Sequence, residues 1–251
     1  MHITPQILEQ HCNVLLNSAA IRDYCPNGLQ VEGERREIRR IVSGVTANLA
    51  LIHAAARLDA DLLLVHHGWF WRNEPLPLTG LKGQRVRALL AGGRSLLAYH
   101  LPLDIHPELG NNRQLGERLA LLNPQPLEEG GLLWGTTLSE ALTAAELAQR
   151  IHTALGRVPL HLPGGAETIR RLAWCSGAAQ GEIVNAAERG YDAFISGEVS
   201  ESTTHLAAEL GIHYFAAGHH ASERYGVIAL GDYLAEHFTL EHHFIDIDNP
   251  V

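Results

Sequence analysis

The feature that most constrains this chain is that part of it is written twice. Arg40 precedes a short apolar run at 41–44 closed by Gly44, an Ala-rich helical stretch covers about 48–58, and Asp61 opens a second apolar run at 61–65. Further on, Arg171, Gly177, a helical stretch carrying Ala186 and Ala187, and Asp192 before Ala193, Phe194 and Ile195 repeat the pattern. The later halves match at a constant offset of 115: Tyr99 with Tyr214, Asp104 with His219, Glu108 with Glu223, Leu115 with Leu230, Gly116 with Gly231 and Leu119 with Leu234. A duplicated strand–helix–strand unit dictates an α/β fold, because strands that alternate with helices pair mostly in parallel. The expected architecture is two intertwined three-layer α/β units with mostly parallel or mixed sheets. The first repeat spans 1–122, an inserted segment without a repeat counterpart spans 123–168, and the second repeat spans 169–251.

Local signals place the elements. Thr4 followed by Pro5 is an N-cap and first-turn signal, and residues 23–33 read as loop around Pro26, Asn27 and Gly28. A helix at about 48–58, with Thr46 as its cap, follows the first strand. A second helix at about 84–90 leads to a strand at 95–99. Thr143 with Glu146 is a capping box whose helix ends near Gly156. Strands are expected at 132–135, 158–162, 212–216 and 241–247.

The formal net charge of −9 speaks against a nucleic-acid surface, which needs clustered Lys and Arg. No apolar run reaches the roughly 20 residues that span a bilayer, and the N-terminus lacks a secretion signal, so a cytoplasmic protein with no membrane contact is expected. Three cysteines, Cys12, Cys25 and Cys175, are odd in number and far apart. They define neither a disulfide framework nor a thiolate zinc site.

Ligands in parallel sheets bind at the carboxyl ends of the strands. His66 and His67 close one strand, His100 and Asp104 follow another, and His219 and Glu223 follow a third. His66, His67, Asp104, His219 and Glu223 are three imidazoles and two carboxylates, a donor set that suits Zn, Fe, Mn, Co or Ni. Five protein ligands exceed the three of a mononuclear catalytic zinc site and suit two divalent ions per subunit. The competing reading makes His66 and His67 polar loop residues and Glu223 a helix cap. His100 either orients a water or moves a proton, or makes a structural hydrogen bond. Glu198, which falls in the second repeat where His67 falls in the first, either faces the same pocket or caps a helix. Trp69, Phe70 and Trp71 either stack on a flat substrate or pack into their own domain. His106 and His220 lie nearby, and His152, His161, His237, His242 and His243 read as ordinary surface or core residues.

The strings VHHGWFW, YHLPLDIHPELGNN, ISGEVSE and AAGHHASER, with NGLQVEG upstream, resemble the Nif-three-like dinuclear-metal family, also called GTP cyclohydrolase 1 type-two homologues. The resemblance covers nearly the whole chain. It implies a homohexameric ring of two-domain subunits, with a two-metal site in each held by the same five residues. The function it implies is a metal-dependent hydrolase that acts on a nucleotide-like or other small polar substrate through a metal-bound hydroxide. The alternative is a non-enzymatic ring that stores metal or serves as a scaffold.

Overall fold

Apolar runs that are buried on both faces are what parallel strands need. In the computed structural model, which describes residues 2–251, such runs form β2 (Arg40–Thr46), β3 (Leu62–His67) and β4 (Ser95–Ala98), preceded by the partly buried β1 (Gly28–Val31). They are followed by β5 (Gln125–Pro126), β6 (Trp134–Leu142), β7 (Leu160–Leu162), β8 (Ile169–Trp174), β9 (Ala193–Ser196), β10 (His213–Ala216) and β11 (Glu241–Phe244). Two mixed sheets result, in the orders β1-β4-β3-β2-β11 and β5-β6-β8-β9-β10-β7. Residues up to 103 together with 226–248 make one compact unit, and 104–225 with 249–251 make the other. The expected intertwining takes this form: neither unit is a single stretch of chain. These compact units are a different division from the repeats at 1–122 and 169–251, since 104–122 lies in the second unit and 226–248 in the first.

The duplication is plain in the pairing. In the first unit β2, β3 and β4 run parallel, and β1 lies antiparallel against β4. In the second unit β8, β9 and β10 run parallel, and β7 lies antiparallel against β10. The shared topology therefore includes β7, inside the stretch 123–168 for which no counterpart is expected. The additions differ: β11 extends the first sheet in parallel beside β2, whereas β6 pairs antiparallel with β8.

One carboxylate starts each parallel ladder. Asp61 Oδ2 accepts the amides of Arg39 (2.8 Å) and Arg40 (2.9 Å), and Asp192 Oδ2 accepts those of Arg170 and Arg171 (2.7 Å each). Their own carbonyls accept Ser95 N and His213 N, so Ser95 and His213, 118 apart, are equivalent. That corrects the offset of 115 at the third strand. In this register Tyr99 matches Ala217 and Asp104 matches Ser222, so Asp104 and His219 are not repeat equivalents. Gly44 and Gly177 are not equivalents either, since Gly44 pairs with Val65 within β2, whereas Gly177 lies beyond the end of β8. Glu198 does stand where His67 stands, because Leu62 and Ala193 occupy matching places in β3 and β9.

The helix signals lie where they were expected, with one correction. Thr4 Oγ1 accepts Ile7 N ahead of the helix Pro5–Leu15, and Thr143 with Glu146 forms a complete capping box closed at Gly156 in the left-handed region. The cap of the helix Leu49–Arg57 is Asn48, whose Oδ1 accepts Leu51 N at 2.9 Å, and not Thr46. Thr46 is still strand, paired with His67. All three cysteines are buried free thiols, and among the described residues no helix is long and apolar enough to cross a membrane.

His242 is no ordinary surface histidine. Its Nε2 lies 2.7 Å from Ser43 Oγ and its Nδ1 2.7 Å from Asp232 Oδ1, a serine–histidine–aspartate chain. It is not a nucleophilic triad: Ser43 is fully buried in β2, and its strand is hydrogen-bonded on both sides to β3 and β11, which leaves no room for an oxyanion-binding amide. The chain clamps β11 and the helix Arg224–Phe238 onto β2. Gly231 makes the clamp possible, since a Cβ there would overlap the His242 ring.

Asp192→Ala should destabilise the protein by about 1–2 kcal/mol, the usual cost of two lost hydrogen bonds to partly solvated amides, measured by urea unfolding. His242→Ala should cost more, about 2–4 kcal/mol, because it opens a cavity and strips the buried Ser43 hydroxyl of its partner. Ser43 itself should remain unlabelled by a fluorophosphonate probe in the folded protein.

Candidate metal centre

The first unit presents three imidazoles. β3 ends in His66, fully buried, and His67, half-buried, whose rings converge at the end of the strand. His100 follows β4. Ring centroids lie 4.7 Å apart for His66 and His67, 5.0 Å for His66 and His100, and 5.7 Å for His67 and His100. One ring nitrogen from each lies within 4.8 Å of the others. Each ring is held by its Nδ1: His66 by Tyr99 O (2.9 Å), His100 by Asp23 Oδ1 (2.7 Å) and His67 by Thr46 Oγ1 (3.1 Å). A carbonyl and a carboxylate only accept, so the proton sits on Nδ1 of His66 and His100, and Nε2 is the basic nitrogen. Histidines that bind metal are typically oriented in this way.

Asp23, in the loop that precedes β1, carries no site signal in sequence. Its Oδ2 accepts Leu101 N and Asn27 Nδ2, and Asn27 Oδ1 in turn accepts His100 N at 2.7 Å. Burial works to raise the Asp23 pKa, but the hydrogen bonds from His100 and Asn27 prevail and hold it down at about 2. Asp23, Cys25 and His100 also bring potential ligand atoms within 4.8 Å. Burial, helped by Asp23, pushes the Cys25 thiol up to about 12, so this second group anchors the loop and offers no thiolate.

The second unit presents two buried carboxylates and one imidazole. Asp104 and Glu223 are 4% and 3% exposed, and an oxygen of each lies within 4.8 Å of the other. Two such charges are costly to bury close together, and a cation beside them would offset that cost. Asp104 Oδ1 accepts Asn111 Nδ2 (2.8 Å) and Ser176 Oγ (3.4 Å), and Asn112 ties its backbone carbonyl to Ser176 N. His219 Nε2 lies 3.0 Å from Glu223 Oε2, and its Nδ1 lies 2.7 Å from Glu198 Oε1. Tyr214 OH donates to the Glu198 backbone carbonyl, which fixes the segment. Burial lowers the His219 pKa, but Glu223 and then Glu198 outweigh it and raise it to about 9. Gly177, at φ +68°, keeps this corner open: a Cβ there would overlap Glu223 Oε1 and stand 3.3 Å from His219 Nε2.

In each unit the donors suit divalent transition ions: three imidazoles in the first, an imidazole and carboxylates in the second, no thiolate in either, ring orientation fixed by outer hydrogen bonds, and a glycine that clears space at the acidic corner. Glu198 contacts His219 directly, beyond any helix-capping role. Of the three aromatic candidates, Trp69 is core, 2% exposed with its indole N–H donating to Ala47 O. Phe70 packs on the core beneath Lys82. Trp71 alone reaches the histidines, 5.9 Å from His67 and 5.0 Å from His100 by ring centroids. His106 Nδ1 instead accepts Leu109 N and caps a turn.

Known proteins resemble this chain along its whole length. The profile of the Duf34/NIF3 (NGG1p interacting factor 3) family matches residues 4–250. Proteins named GTP cyclohydrolase 1 type 2 homolog are similar throughout: one from Allochromatium vinosum is 55% identical over 97% of this chain and 96% of its own. One from Pseudomonas aeruginosa is 53% identical over the whole of both chains. Among solved structures, protein ybgI, described as of unknown function, is 48% identical with a TM-score of 0.95 over 99% of this chain and 100% of its own. A protein from Thermus thermophilus is 32% identical, with a TM-score of 0.91 over 99% of this chain and 100% of its own.

In metal-free protein the His219 imidazole should be charged at pH 7 and lose its proton near pH 9, followed by NMR of its ring protons. Glu198→Gln removes one of the charges that raise it, so the midpoint should fall. The same substitution should weaken metal affinity by about 10–100-fold while the fold is retained.

Proposed function

Since the chain belongs to the Duf34/NIF3 family, we propose that it is a metal-dependent hydrolase of a small polar, nucleotide-like substrate, with His66, His67, Asp104, His219 and Glu223 as ligands of a two-ion centre. The observation that carries this reading is the treatment of the imidazoles: His66, His100 and His219 each have Nδ1 bound to a carbonyl or carboxylate, which makes Nε2 the ligating or proton-accepting atom. Two divalent ions supply Lewis acidity, lowering the pKa of a water and offsetting negative charge that develops at the reacting centre.

The chain's own residues do the rest. Asn111 and Ser176 occupy Oδ1 of Asp104 and so aim its other oxygen as the donor. Glu198 orients His219 and keeps it electron-rich. His100, held by Asp23, is placed to take a proton at Nε2 and return it to a leaving group. The name carried by the relatives, GTP cyclohydrolase 1 type 2 homolog, supports a nucleotide-like substrate and a ring-opening hydrolysis. A homohexamer is the assembly we expect.

Metal uptake near neutrality has to expel the His219 proton, so affinity should rise with pH up to about 9 and flatten above it. Elemental analysis of protein purified without chelator should give about two transition-metal ions per chain, and light scattering should give six chains. Glu223→Ala should lose more metal than His100→Ala under dilute chelator. Asp104→Ala and His67→Ala should abolish turnover in a screen of nucleotides, cyclic amides and phosphoesters, with assembly intact. A reproducible stoichiometry of one or none after reconstitution would overturn the two-ion centre. Two bound ions with no turnover of any compound would favour a metal store.

A further inference from the structure

Phe70 adopts φ +66°, a left-handed conformation that is costly for a bulky aromatic residue and persists only where its surroundings enforce it. Its effect is visible on either side. Trp69 turns inward and is consumed by the core, whereas Trp71 turns outward, half-buried, onto His67 and His100. The turn is braced: Glu74 N donates to Trp71 O (2.9 Å), Glu74 Oε2 accepts Phe70 N (3.2 Å), and Lys82 pairs with Glu74 while covering the Phe70 ring.

Trp71 is not among the buried residues, and its indole N–H has no hydrogen-bond partner among the described residues. Trp69 and Trp174, by contrast, donate to Ala47 O and Asn112 O. Beside Trp71 the loop at 23–25 brings Tyr24, 58% exposed, to 6.5 Å from the His100 ring. Arg72 binds the two loops: its amide donates to Tyr24 O, its Nη2 donates to Asp23 O, and its guanidinium lies 5.7 Å from the Tyr24 ring centre. Arg72 is exposed and has no carboxylate partner among the described residues.

We propose that Trp71, Tyr24 and Arg72 are a recognition wall for a flat heteroaromatic ring bearing an anionic group, such as a nucleoside monophosphate. Trp71 supplies the face on which the ring stacks and an indole N–H for a ring or substituent acceptor. Arg72 supplies the charge for the anion. Backbone strain at Phe70 and cross-bracing by Arg72 hold the wall ready, so little ordering cost falls on binding. A half-buried tryptophan against His67 and His100 is not needed to close the core, which Trp69 fills. Base stacking on an aromatic face is strong and tolerant of ring identity, which suits a site selecting a class of rings. The inference rests on the metal-centre reading for its location alone, and binding can be measured without turnover.

The test is calorimetric titration of the metal-replete full-length protein with GMP, guanosine and ribose 5-phosphate. GMP should bind tighter than either fragment. Trp71→Leu should weaken GMP by about tenfold or more with metal content retained, and Trp71→Phe should recover most of the loss. Arg72→Gln should remove the advantage of GMP over guanosine and leave guanosine unchanged. Ribose 5-phosphate binding as tightly as GMP would overturn the proposal. So would an unchanged GMP affinity in Trp71→Leu, or no binding of any probe to metal-replete wild type. If Trp71→Leu sheds its metal, the Trp71→Phe and Arg72→Gln results decide. Stacking of GMP on Trp71 without turnover of any substrate would leave this inference standing and sink the hydrolase; turnover confined to compounds without a flat ring would do the reverse.

Discussion

A parallel strand presents its ends only as accurately as its register is set, and in this protein one carboxylate sets it in each unit. Asp61 and Asp192 grip the amides that begin β2 and β8 while their own backbone links to the strands on either side. Because side chains alternate, a slip of one residue would carry the His66 ring away from Tyr99 O. Each aspartate lies at the opposite end of its strands from the residues whose aim it determines. The donors at the carboxyl ends are therefore products of the whole ladder.

The polar groups behind the proposed ligands follow a single logic. A histidine is useful to a metal when one nitrogen is committed elsewhere, and here the commitments go to Tyr99 O, Asp23 and Glu198. A buried carboxylate is useful when it cannot rotate, and Asn111, Asn112 and Ser176 see to that for Asp104. None of these partners is exotic in type. What matters is that the groups they hold are buried, where a misdirected donor or acceptor costs far more than it does in water.

Much of this was legible in sequence, and the exceptions have physical reasons. The α/β class, the capping box at Thr143, the strand-end histidines and the equivalence of His67 with Glu198 follow from periodicity and spacing. The offset of 115 misled because Leu, Ala and Gly recur in any α/β chain, while the backbone pairing that defines equivalence leaves no mark in residue types. Asp23 and Asn27 sit in a loop rich in turn residues, where a polar side chain that anchors a histidine looks like one that merely turns the chain. His242 looks ordinary in sequence because Ser43, 199 residues away, joins it only through the return of β11 to β2. Trp69, Phe70 and Trp71 are one apolar string on paper; a single left-handed residue separates core from site.

That return of β11 has a consequence for how the chain is made. On a ribosome, residues up to 103 emerge with their aspartate anchor and their three imidazoles, but the outer edge of β2 has no neighbour until residues 226–248 of the first unit follow. Until then β2 offers a bare parallel edge with Ser43 beside it, a surface open to pairing with another nascent chain. The second unit, in turn, cannot complete itself before residues 249–251 have emerged. Vectorial synthesis therefore delivers both halves late and nearly together, and a truncation near the C-terminus strikes the fold that begins at the N-terminus.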